Sequence, residues 1–296
     1  MEEWRKLRLL HAPIRLPNRI FEAEYRYIRW PRTENDVRRF ERVSAVTACI
    51  MTLLLVLVDH AVYHEQSLKV LLLMLLVINI GVTLATDLYA LLIAVNRVGR
   101  QIETGQWEEL KLTFLTRQEI FDGKYAITQI RARRATVGLI VLRLIPLFGV
   151  TAVIVIDVLF GYGVLLRRLA FLALTQGHAL ILLGILAVPF LMYLCFYEPM
   201  WQMQTVSALG ILFPLLTRNQ LMAALSGFAS ILVLRAVQFA MLAAIAAALY
   251  WFTILQDYFV FCLTAPLFLF VVPTLVYLYH TLIRNFTLDW GSRRVF

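Results

Sequence analysis

Few side chains in this 296-residue sequence stand at a spacing that chemistry could use. His60 and His64 are four residues apart and would share a helical face, but no third metal ligand lies near them. Cys49, Cys195 and Cys262 sit singly inside apolar runs, as small hydrophobes do, and form neither a disulfide framework nor a zinc motif. Gly123-Lys124 ends like a phosphate-binding loop, yet Tyr125 follows and Gln118 stands where the first glycine would be. With no nucleophile, metal or dinucleotide constellation, the chain is expected to be no enzyme. It is expected to carry no catalytic, cofactor or metal residues of its own.

Composition explains the scarcity. The chain is 61% hydrophobic and 16% charged, with a mean hydropathy of +0.75, outside the range of ordinary soluble domains. Several runs reach the ~20 apolar residues that cross a bilayer. The pattern predicts an all-α, polytopic membrane protein of about six transmembrane helices. The first four spans are expected near Val43–Tyr63, Val70–Asn96, Val137–Phe160 and Gln176–Phe196, and residues 221–284 would hold two more. The surplus around 245–263 fits either re-entrant half-helices or longer, tilted spans. Of the 28 Lys and Arg residues, 23 fall in the terminal segments, the 97–136 loop and the loop at Arg218, against 3 in the alternate loops. That bias predicts both termini on the cytoplasmic side. It assigns the net charge of +9 to topology and anionic lipid rather than nucleic acid.

Residues 1–42 read as cytoplasmic or interfacial amphipathic helices: Phe21, Tyr25 and Ile28 share a face, and arginines lie elsewhere. Residues 43–296 form the membrane domain. Pro199 would start a separate interfacial elbow over 199–217. Ala236, Ala240, Ala244 and Ala248 make a small-residue stripe suited to close helix packing, most simply within the chain.

The polar loop 97–136 has the most internal design. Trp107, Leu110 and Phe114 fall at i, i+3 and i+7, one face of a short helix, with Glu108, Glu109 and Lys111 elsewhere. Thr116-Arg117-Gln118-Glu119 reads as a capping box that starts the next helix, and Gly105 and Gly123 fall near the joints. Over residues 103–124 this stretch resembles the cytoplasmic loop of type-2 ABC exporter permeases. That family has Glu-x-x-Gly-Thr-Trp-Glu, Leu, a Thr-Pro-Leu-Ser turn and Glu-Ile-x-x-Gly-Lys, in that order. Here the positions are Glu103, Gly105-Gln106-Trp107-Glu108, Leu110, Thr113-Phe114-Leu115-Thr116, Glu119-Ile120 and Gly123-Lys124. Gln106 and Phe114 depart from the family's Thr and Pro.

The resemblance implies the permease subunit of an ATP-driven exporter in a prokaryotic inner membrane. A cytosolic ABC ATPase would bind ATP and Mg and dock on the loop, which would act as a coupling helix. A second permease subunit, identical or not, would complete the pathway. Trp107, Leu110 and Phe114 would supply the apolar knob of the docking surface, and Glu103, Glu108 and Glu119 its polar contacts or helix caps. The alternative is a non-catalytic structural or anchoring subunit of a larger membrane complex.

Two charges interrupt consecutive spans. Asp87 lies ten residues above Arg97 and Arg143 nine residues above Arg134, which places both ~14–15 Å inside at ~1.5 Å per residue. An intramembrane charge calls for a partner, so the matched depth predicts an Asp87–Arg143 pair.

Overall fold

The computed structural model describes the backbone of residues 66–159, 179–254 and 258–294, with side chains over 77–145, 193–245 and 270–293 and at single positions between 20 and 50. The expected first span beyond residue 50, the loop at Arg167, the N-terminal face of Phe21, Tyr25 and Ile28, and both histidines of the 60–64 pair lie outside the described side chains. Among the described residues every regular element is an α-helix: α1 Gln66–Glu103, α2 Gln106–Lys111, α3 Arg117–Leu159, α4 Ala179–Thr217, α5 Gln220–Ile254 and α6 Tyr258–Arg294.

The long helices exceed what a bilayer requires. The shortest of them, α5, has 35 residues and spans ~50 Å, against a hydrocarbon thickness of ~30 Å. Among the described residues, Val77–Glu103 and Gln220–Ile245 are long and apolar enough to cross a membrane. The outer face of α5 is apolar too, with Leu232, Val233, Val237 and Phe239 exposed.

Helix α4 corrects the expected break at Pro199. It runs without interruption from Ala179 through Pro199 and Pro214 to Thr217. A proline removes one ladder hydrogen bond, and packed neighbours in a membrane bundle can tolerate that loss. The chain then reverses in two residues. Arg218 adopts the left-handed conformation (φ 53°) and donates its N–H to the Pro214 carbonyl at 2.9 Å, a helix-terminating geometry. The Asn219 side chain accepts the N–H groups of Leu221 and Met222 at 2.9 and 3.3 Å and so caps α5.

Helix α1 packs against α3, α4 and α5. Its Leu91, Ala94 and Val95 are fully buried because glycines on α4 and α5 admit them. A Cβ on Gly210 would meet the Ala94 Cβ at 2.5 Å, and one on Gly227 would meet the Leu91 Cδ1 at 2.7 Å. Small residues therefore do set the helix spacing, but not those of the alanine stripe: Ala236, Ala240 and Ala244 are exposed.

Candidate functional site

The hairpin between α1 and α3 is shorter than its polar sequence suggests. Helix α1 continues to Glu103 and α3 begins at Arg117, so most of 97–136 extends the two helices. The chain turns at Gly105, whose φ of 76° is a left-handed conformation that glycine adopts without penalty. Gly123, expected at a joint, is instead inside α3. At the far side the capping box is complete. The Thr116 N–H donates to the Glu119 carboxylate at 2.8 Å, and the Glu119 N–H donates back to the Thr116 hydroxyl at 3.3 Å. Glu119 is thereby committed to starting α3.

The expected apolar knob is divided. Trp107 is 2% exposed and packs in one cluster with Val98, Phe121, Ile211 and Leu215. Its ring meets Phe121 edge-on at 6.3 Å, a favourable aromatic geometry. Leu110 lies half-buried beside it. Phe114 has left the helix, which ends at Lys111, and is fully exposed, and Leu112, two positions before it, is 86% exposed. Trp107 therefore fastens α2 to the bundle and is not available at its surface, while Leu112 and Phe114 form the free apolar tip. Glu108 pairs with Lys111 at 2.9 Å. Glu103 accepts a 2.9 Å hydrogen bond from Gln220, which ties the hairpin to the start of α5. Gly99 allows that approach, since a Cβ there would meet the Gln220 side chain at 2.6 Å.

Lys124 is an internal residue, 2% exposed, and its ammonium pairs with Glu24. Glu24 also takes Arg97 at 2.7 Å, so this one carboxylate joins the N-terminal segment to α1 and α3. Burial pushes the Lys124 ammonium below its usual range, and Glu24 opposes that shift.

Farther along the bundle four charges meet. The Arg235 guanidinium donates to Asp87 at 2.8 and 3.0 Å and to Glu198 at 2.6 Å. Arg143 donates to Glu198 and to Thr83 at 3.2 Å. Gln238 donates to Glu198 at 3.1 Å and Gln202 to Asp87 at 3.4 Å. The expected Asp87–Arg143 pair is thus replaced: Asp87 is held by Arg235, Arg143 by Glu198, and Arg235 bridges the two carboxylates. Both residues do reach one cluster, but position along a helix says nothing about which way around it a side chain points. Arg235 was the legible clue, a charge within a span that needed a partner just as the others did. Glu198 was hidden by the supposed helix break at Pro199.

This cluster joins α1, α3, α4 and α5 with two positive and two negative groups, so formal charge cancels. Each carboxylate accepts several charge-assisted hydrogen bonds, the arrangement under which buried ions are tolerated. Among the described residues no group of three His, Cys, Asp or Glu could hold a metal. No family model, curated protein or solved structure matches the chain.

Proposed function

We propose that the chain is the membrane-spanning permease subunit of a type-2 ABC exporter, with six spans and both termini on the cytoplasmic side of a prokaryotic inner membrane. The observation that carries this is the α1–α3 hairpin. Its motif order from Glu103 to Lys124 resembles that of a coupling loop, its helix α2 is fixed by a buried tryptophan, and its tip exposes Leu112 and Phe114. Isolated exposed apolar residues are ordinary, but two of them within three positions on a short, anchored hairpin suit insertion into a partner's groove. The apolar outer face of α5 and the long apolar helices support membrane insertion.

In this mechanism a cytosolic ATPase binds ATP and Mg, and closure of its dimer displaces the docked tip. Trp107, the Glu103–Gln220 bond and the capping box tie α2 to α1, α3 and α5, so displacement of the tip would move those helices as a rigid unit. A second permease subunit would frame the export pathway. Affinity purification of the tagged chain from its native membrane tests this: an ABC ATPase should co-purify in near-equal amount. Recovery of a respiratory or secretion complex without any ATPase would overturn the proposal in favour of an anchoring subunit.

A further inference from the structure

Beside the four-charge cluster lies a cavity of about 630 Å³, within the range of ~300–1,000 Å³ common for small-molecule sites. Its polar lining comes from Asn79, Thr83, Arg143, Glu198, Arg235 and Gln238, and its apolar lining includes Ile80, Leu84, Leu194, Phe239 and Leu242. Ile80 and Phe239 are 44% and 55% exposed on the outside of the bundle. Ile80 also lies 23 residues, roughly 35 Å, up α1 from Glu103. The cavity therefore opens sideways through the apolar surface, far from the hairpin.

The two arginines differ in what they leave free. Arg235 engages all three of its nitrogens on Asp87, Glu198 and Gln238. Arg143 engages Nη1 on Glu198 and Nη2 on Thr83, and its side chain stays 13% exposed at the cavity. A guanidinium has five N–H donors, so Arg143 has donors to spare. On Glu198, Oε1 takes Arg235 and Gln238 and Oε2 takes Arg143, so three of its roughly four acceptor sites are used. Asn79 Oδ1 already accepts from Thr83 at 3.3 Å, so the polar lining keeps more unused donors than acceptors and favours ligand acceptor oxygens. Because the four charges already cancel, a ligand with a full charge would add an uncompensated ion in a low-dielectric site, at a cost of several kcal/mol.

The geometry points to a lateral binding site for an uncharged glycerolipid-type amphiphile. Its ester or hydroxyl oxygens accept from Arg143, and its chain lies against Ile80, Leu84, Leu242 and Phe239. The site stands independently of the exporter assignment. Native mass spectrometry of the full chain in an ester-free detergent tests it, with monoolein as the neutral probe and oleate as the charged probe of equal chain length. A monoolein adduct is expected, with oleate at least tenfold weaker. Ile80→Trp removes no charge or hydrogen bond of the cluster and adds bulk at a half-exposed position of the cavity lining, so it should remove the adduct without lowering thermal stability. Arg143→Gln should weaken monoolein by about tenfold or more. Equal or tighter oleate binding, monoolein binding that survives Ile80→Trp, or no adduct with either probe would each overturn the assignment.

Discussion

The hairpin and the charge cluster hold helices together by opposite means. At the hairpin, apolar burial supplies the anchor: Trp107 is enclosed by residues of α1, α3 and α4, the charged groups of the turn itself, Glu103, Glu108, Glu109 and Arg117, are exposed, and the buried Lys124–Glu24 pair lies farther along α3. In the cluster, Arg235, Asp87, Glu198 and Arg143 are enclosed, and apolar side chains form the open wall of the cavity beside them. The difference lies in what failure costs. A missing apolar contact leaves a void, whereas a missing charge partner leaves an ion without water. The first arrangement suits a part that is pushed from outside; the second fixes a set of helices in one relative position, since each charge is satisfied in only one arrangement.

Breaking the cluster should therefore have the largest effect. Arg235→Met removes the bridge from two buried carboxylates at once, and loss of one member of a buried ion pair costs about 3–5 kcal/mol. Thermal unfolding of the purified variant in detergent should show the lowest midpoint of the set; a midpoint equal to the wild type would mean that the cluster contributes nothing to the fold. Trp107→Ala comes next. Truncating an enclosed tryptophan costs about 3 kcal/mol or somewhat more, and because the lost contacts are local, the hairpin should loosen first. Limited proteolysis should cut within residues 104–116 much faster than in the wild type, and unchanged protection would place Trp107 outside the core.

Much of this hairpin was legible in the sequence, because its signals are local. The capping box Thr116–Glu119 and the turn at Gly105 depend on residues within four positions of each other, and both form as read. The helical character of the chain was equally plain from its apolar runs. What periodicity left open was the partner of an apolar face. Trp107, Leu110 and Phe114 share a face on a helical wheel, yet the chain's own bundle covers Trp107, and Phe114 escapes because the helix ends three residues earlier. The charge cluster was half legible for the same reason. Asp87 and Arg143 were recognised as charges in need of partners, but their partners, Arg235 and Glu198, come from helices distant in sequence. Pro199 conceals one of those helices, since proline ends an isolated helix but not α4, which neighbours support on several sides.

The smallest effect on stability should come from the tip, where Phe114→Ser removes no contact within the chain and should change stability by less than about 0.5 kcal/mol. That silence makes position 114 the most direct test of coupling. A photo-crosslinking amino acid placed there, and separately at position 107, should report on the two faces of the same hairpin in native membranes. Position 114 should crosslink to an ABC ATPase, position 107 should crosslink only within the chain, and Phe114→Ser should reduce ATPase recovery and transport together while leaving the unfolding midpoint in place. An exposed Phe114 that crosslinks to no ATPase, with full transport retained by Phe114→Ser, would contradict the account.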